Sequence, residues 1–306
     1  MPLIDASQTY QMTNVGAHID ATDVYNTNPN LLDNPFWKVN QRNTSAVTTD
    51  GTYCADRWFL YSNAVSSSVT QGASGLQFTS TNGNSGYVRI RQKLTDDIFR
   101  RLLGASLTLS IMLDGEVYSV TGSIPSTVPT VQTSIIPDTT VTTNNGIVLL
   151  GLIWQPSISQ GSAIIRVYNT QLANSVKLEL GTVSTLANDT PPNYADELDK
   201  CQYYFERISA GTANLTIGTG IGTGTYFYTP IKLHPKRTAP TVTYSGSVGI
   251  GRSAYETDIT AIYTSGSSSD PNTGNYSLAV TVTNTTQTAY RLIIKTGGYI
   301  DFSADL

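Results

Sequence analysis

The chain is short of charge, of histidine and of sulfur. Only 13% of its 306 residues are Asp, Glu, Lys or Arg, and the formal net charge is −4. That balance leaves no electrostatic footprint for nucleic acid. The small basic clusters, Arg89/Arg91/Lys93, Arg100/Arg101 and Lys232/His234/Lys236/Arg237, read as solvated faces or ends of elements. With two histidines, His18 and His234, neither near a ligand neighbour, and with no CxxC pair, no metal site is expected, and no cofactor motif stands out. The two cysteines, Cys54 and Cys201, each sit in an apolar run and read as buried free thiols. A disulfide between them stays open, because proximity in space is invisible in sequence.

Long hydrophobic runs are missing too. Nothing approaches the ~18 apolar residues of a membrane-spanning helix, so no membrane insertion is expected. The opening Met-Pro-Leu-Ile-Asp has no basic stretch leading into an apolar core, so synthesis in a cytoplasm without signal-peptide export is expected.

What is abundant is Gly, Ser, Thr, Asn and Tyr. Eighteen tyrosines against seven phenylalanines favour half-buried strands with wet aromatic edges. Residues 1–29 are polar, with apolar positions too sparse for a coiled coil, and read as an extended or partly helical N-terminal arm. From Asn30 the apolar density rises. Strands are expected at Phe36–Val39, Tyr53–Tyr61, Gly75–Thr79, Tyr87–Gln92, Leu107–Leu113, Glu116–Thr121, Thr130–Ile136, Gly146–Trp154, Ala163–Asn169 and Val176–Leu180. One short amphipathic helix interrupts them at Leu94–Leu103, stopped by Gly104. This pattern predicts a jelly-roll β-sandwich over 30–189. A linking helix is expected over 190–208, beginning near Tyr194 and running to residue 207. A second, smaller β-sandwich is expected over 209–306, with strands at Pro240–Tyr244, Ile259–Thr264, Tyr276–Thr283, Tyr290–Lys295 and Gly298–Ala304. The Gly-rich Ile217–Thr225 lacks the Lys and following helix of a phosphate loop and reads as a flexible β connection.

Several segments resemble bacteriophage tail-fibre and receptor-binding proteins whose scaffold is a carbohydrate-binding, jelly-roll module. Lys177-Leu178-Glu179 with Gly181 is similar to their KLE-G. Tyr194, Glu197-Leu198, Cys201-Gln202, Tyr203-Tyr204 and Glu206 are similar to Y-x-x-EL-x-x-CQ-x-YY-E. Asn30-Leu31-Leu32 through Asn40-Gln41-Arg42 resembles their entry strand, and Tyr53 with Ala55-Asp56-Arg57-Trp58 resembles Y-x-ADRW. Pro230 to Val242 resembles a further element, with Lys236 where Met is usual, and Gly298–Leu306 matches an acidic ending. The resemblance covers about residues 30–306. It implies a virion location, attachment to other tail proteins through the N-terminal arm, a homotrimer, and recognition of host cell-surface carbohydrate. Residues 1–29 match none of it.

Catalytic signatures are lacking: there is no GxSxG, HExxH, P-loop or DxDxDG, and no β-helical period of a depolymerase tailspike. The carboxylates Asp96/Asp97 and Asp196/Glu197/Asp199 read as helix-end and solvent-face charges rather than a glycosidase pair, so no enzyme is expected. A binding role fits better, since sugar sites set aromatic platforms beside polar groups. The candidate ligand-binding residues are Tyr244, Arg252, Tyr255, Glu256, Tyr263, Asp270, Asn272 and Tyr276, in or near the loops of the second domain. Trp154 is a secondary candidate in the first. The rival expectations are a purely structural appendage, collar or baseplate part, and a polysaccharide depolymerase. Tyr203-Tyr204-Phe205 carries more aromatic surface than a short helix needs, which suggests an oligomer contact.

Overall fold

A computed structural model describes residues 28–64, 66–81, 85–156, 160–252, 257–265, 269–285 and 289–305. Nearly all of the expected N-terminal arm, together with Tyr255 and Glu256, lies outside the described residues. The protein is all-β. Its chain gathers into two compact units that are not contiguous in sequence. Over the described residues the first takes 28–37, 45–54 and 58–192, and the second takes 38–44, 55–57 and 193 onwards.

The first unit runs through β1 (Tyr53–Ala55), β2 (Trp58–Asn63), β3 (Ser67–Gly72), β4 (Gly75–Ser80), β5 (Tyr87–Thr95), a six-residue helix α1 (Asp96–Arg101), β6 (Ser106–Leu113), β7 (Glu116–Ser123), β8 (Thr133–Thr143), β9 (Gly146–Gln155), β10 (Gln160–Tyr168) and β11 (Gln171–Leu180). They form two sheets, in the orders β1-β2-β5-β10-β9-β8 and β3-β4-β11-β6-β7. Period-two alternation puts Val88 and Ile90 of β5 and Ile165 and Val167 of β10 into the core from one sheet. Leu109 and Ile111 of β6, with Val176 and Leu178 of β11, enter from the other.

Two expected strands differ. Phe36–Val39 is not a strand: a turn over Asn34–Trp37 precedes irregular chain. Asn34 and Trp37 both take left-handed φ, 50° and 51°, and the Trp37 N–H donates to the Asn34 carbonyl. Tyr53–Tyr61 is not one strand but β1 and β2 joined at Asp56-Arg57, where Arg57 has φ 72°. Trp58 is a core anchor as expected. It is fully buried, its ring meets Trp37 edge-on at 5.8 Å, and its Nε1 donates to the Asp33 carbonyl at 3.1 Å.

β11 reads as one-sided in sequence but is buried on both faces. Its charged positions, Lys177 and Glu179, are at most 1% exposed. Residues of the following segment satisfy them. The Lys177 Nζ donates to Thr185 Oγ1 at 2.7 Å and pairs with Asp189 at 2.5 Å. Glu179 accepts from the Thr185 N–H at 2.8 Å and from its hydroxyl at 2.5 Å. A buried pair of this kind holds only because each polar atom has a partner.

The second unit contains a helix α2 (Tyr194–Gln202), then β12 (Phe205–Ser209), β13 (Leu215–Lys232), β14 (Thr241–Tyr244), β15 (Val248–Gly251), β16 (Thr257–Asp258), β17 (Ala261–Thr264), β18 (Asn275–Thr285), β19 (Ala289–Ile294) and β20 (Tyr299–Ser303). The sheets are β12-β20-β14 and β16-β15-β19-β13-β18-β17, around a core that includes Phe227, Ile250, Leu278, Val280, Leu292, Ile300 and Phe302. Asn193 caps α2 by accepting from the Ala195 N–H at 2.8 Å. The helix stops at Gln202, short of the expected residue 207, because the next residues pair with β20. Arg207 stands opposite Asp301 and grips it bidentately at 2.6 and 2.7 Å. Glu197 is buried and paired with Lys200 at 2.5 Å.

Around that strand pair the second unit's three chain segments meet. Arg42 pairs with Asp56 at 3.3 Å and Asp305 at 2.5 Å, and its guanidinium lies 3.5 Å from the Phe205 ring centre. Gln41 donates to Asp56 at 2.6 Å and to the Phe205 carbonyl at 2.8 Å. Arg57 stacks on Tyr204 at 3.4 Å. Lys236, fully buried, donates to Glu206 and to the Gln202 carbonyl, both at 2.6 Å. Burial pushes the Asp56 carboxyl above its ordinary range despite Arg42, and lowers the Lys236 ammonium despite Glu206. Cys54 and Cys201 are both buried thiols outside any disulfide.

Candidate functional site on the second unit

β13 carries the site, and its glycines shape it. The strand's first half pairs with β19 and its second with β18. Its two halves also approach each other: Thr229 Oγ1 donates to the Thr219 carbonyl at 3.1 Å. A Cβ on Gly220 would stand 1.6 Å from the Tyr228 carbonyl oxygen. The Gly-rich stretch is thus strand, not a flexible connection, and glycine at 220 is what the bend requires.

Beyond the bend, β13 alternates strictly. Phe227, Thr229 and Ile231 turn inward, while Tyr226, Tyr228, Pro230 and Lys232 face out. In register, Tyr228 lies opposite Ala279 of β18, and Ala279 lies opposite Tyr263 of β17. A buried small residue between two rings gives the outer face a floor with aromatic sides. Tyr226, Tyr228 and Tyr263 are 40%, 43% and 42% exposed. The first two rings are near-parallel, with centres 6.3 Å apart and planes 28° apart. Alongside opens a cleft of about 450 Å³ lined by Tyr228, Thr229, Pro230, Ile231, Lys232, Asn275, Tyr276 and Ser277. Lys232 is tethered there, donating to the Thr273 carbonyl and to Asn275 Oδ1. Rings in a row ending in amide, hydroxyl and ammonium groups suit a ligand with apolar faces and a hydroxyl rim.

Of the residues expected from sequence, Tyr263 lies on this face. Asp270 and Asn272 sit at its end, in the turn before β18. There Asp270 is taken up by the turn itself, accepting from the Asn272 N–H at 3.0 Å and the Thr273 hydroxyl at 2.9 Å. Tyr244 is half-buried, its hydroxyl donating to the Ile259 carbonyl at 3.4 Å. Arg252 is exposed, 5.8 Å over the Tyr290 ring. Tyr276 is not a platform: it is 2% exposed, on the inward side of β18. Burial, with Asp270 and Glu206 nearby, pushes its hydroxyl up to about 12. Trp154 is likewise a core residue, 2% exposed, with its ring centre 5.0 Å from that of Phe99 and its Nε1 on the Pro129 carbonyl. In the Tyr203-Tyr204-Phe205 patch only Tyr203 is exposed, since Phe205 is buried and Tyr204 lies under Arg57. Tyr226, Tyr228 and Lys232 were absent from the sequence candidates. The signal for them was the Tyr-Phe-Tyr alternation leading into Pro230.

Among the described residues no helix is long and apolar enough to cross a membrane, and no group of three or more His, Cys, Asp or Glu is placed to hold a metal. The chain matches no family model and no curated protein.

Proposed function

We propose that this chain is a non-catalytic glycan-recognition protein of a bacteriophage virion, a tail-fibre or receptor-binding part that meets host cell-surface carbohydrate. The observation that carries the binding half is the exposed row Tyr226, Tyr228 and Tyr263 beside an open cleft. Three solvent-facing rings on one sheet cost exposed apolar surface, and a stacking ligand gives that cost a use. The virion half rests on the segments that resemble tail-fibre modules. In this reading the first unit is a jelly roll: its chain passes between the two sheets at β2–β3, β4–β5, β5–β6, β7–β8 and β10–β11. The second unit is the recognition head, the residues before 30 join other tail proteins, and three copies sum weak contacts.

Adsorption is the test. Purified protein incubated with cells of candidate host strains should deplete from the supernatant, and soluble host polysaccharide should compete. No depletion on any strain that the parent particle infects would count against receptor binding and favour a collar or baseplate role.

A further inference from the structure

The first unit has a second face whose chemistry differs from the tyrosine row. On β5 the residues that turn away from the core are Tyr87, Arg89, Arg91 and Lys93. On β10 the same side carries Arg166 and Tyr168, half-buried, with Ser162 and Ile164 fully covered. The register sets Arg89 directly opposite Arg166, two like charges across neighbouring strands. That pairing is unfavourable by itself. The bulge in β2 adds aromatic support. Phe59 stands opposite Arg91, and Tyr61 is the extra residue between Leu60 and Ser62. Arg91 lies 4.1 Å from the Tyr61 ring centre and 4.8 Å from that of Phe59. Arg89 lies 4.6 Å from the Tyr61 ring, and Arg166 lies 5.0 Å from the Tyr87 ring.

Ring faces can hold a guanidinium without using its N–H groups. Among the described residues, only Arg166 of the three donates to an aromatic residue, to the Tyr168 hydroxyl at 3.3 Å. The Nε atoms of Arg89, Arg91 and Arg166 are buried and have no hydrogen-bond partner among the described residues. One carboxylate approaches: Asp138, over Gly151, reaches Arg89 at 3.8 Å. No carboxylate of a described residue pairs with Arg91 or Arg166. Burial lowers the Arg91 guanidinium from its ordinary range, and the more distant Asp50 carboxylate does not offset that loss of water. Successive outward positions on a strand stand roughly 7 Å apart, so Arg89, Arg91 and Lys93 make a row of about 13 Å with Arg166 beside it.

We propose that this face is a second binding site, for an acidic polysaccharide whose sugar rings carry carboxylates. Guanidinium forks held flat on aromatic rings match planar carboxylates. A single short row on a chain of net charge −4 suits spaced acidic groups better than the continuous basic stripe that a nucleic acid needs. The site stands on different residues from the tyrosine face and does not depend on it.

The full chain should be titrated with polygalacturonate, alginate and polysialic acid, with dextran, polyglutamate and single-stranded DNA as comparators. At least one acidic polysaccharide should bind, more weakly as NaCl rises, and dextran should not bind at this face. Arg91→Gln and Arg166→Gln should each weaken that binding roughly tenfold or more, with unchanged circular dichroism. Tyr228→Ala/Tyr263→Ala should leave it intact. If one Arg variant fails to fold, the other and the salt dependence of the wild type decide. Failure of all three acidic polysaccharides, equal or tighter binding of polyglutamate or DNA, or retention of affinity by the folded Arg variants would overturn the assignment.

Discussion

Asp56 and Lys177 are buried charges, and each stands on its neighbours. Lys177 neutralises Asp189 and bonds Thr185, which in turn bonds Glu179. Lys177→Met should therefore lose about 3–5 kcal/mol in urea denaturation, because Glu179 stays buried with its balancing charge gone. A loss under about 1 kcal/mol would mean that water reaches Glu179 freely. Asp56 gives a pH signature. The folded state holds its proton more tightly than the unfolded chain does, so wild-type stability falls as pH rises above the ordinary carboxylate range. Asp56→Asn lacks that penalty, and Arg42 keeps Asp305 at 2.5 Å. The stability of the variant relative to wild type should accordingly improve between about pH 3 and about pH 7. A difference that stays flat in guanidinium melts across that range would contradict it. The burial of Lys177 and Glu179 was not legible from alternation, because what covers them is a polar segment with no period of its own. The burial of both thiols was legible, since each cysteine stands in an apolar run, while the absence of a disulfide between them was not, because distance in space leaves no mark in sequence.

Elements were legible where a run had one clear period and one end signal. β6, β9 and β19 follow from alternation between turn residues. Boundaries failed where a distant partner decided. α2 stops early because Arg207 finds Asp301, and Phe36–Val39 cannot extend because Asn34 and Trp37 adopt left-handed φ. The Gly-rich part of β13 is another case: composition suggests slack, while the fold uses it for a close approach. Gly220→Ala should destabilise by about 1–3 kcal/mol in thermal or urea melts, since its new Cβ would collide with the Tyr228 carbonyl. Gly211→Ala, with nothing within 4 Å of the added methyl, should shift stability by no more than about 0.5 kcal/mol. Equal effects at the two positions would refute the bend as the reason for glycine. The same alternation that hides Phe227 presents Tyr226 and Tyr228. The tyrosine face could therefore have been read from sequence, had Tyr263 and Ala279 been known to stand beside it.

At the scale of the whole molecule, the divisions drawn from sequence do not coincide with those in space. Residues 38–44 and 55–57 belong to the second unit, where Gln41 bonds the Phe205 carbonyl, Arg42 pairs with Asp305, and Asp56 holds both Gln41 and Arg42. A fragment of residues 193–306 would lack all three. It should melt well below the second-unit transition of the full chain, or without cooperativity, in scanning calorimetry. A fragment as stable as the intact chain would mean that the early segments contribute nothing. No composition shift marks those segments, and they are too short to read as elements, so only the ion pairs identify them.

The central claim is that this chain recognises carbohydrate through an exposed tyrosine face. Glycan-array binding of the full chain, run beside its Tyr228→Ala/Tyr263→Ala variant, tests it most directly. We predict signal on a set of bacterial surface glycans that drops at least tenfold in the variant while the melting temperature is unchanged, since stacking is worth roughly 0.5–1.5 kcal/mol per ring beyond area burial. Silence of the wild type across such an array, or undiminished binding by the folded variant, would contradict it.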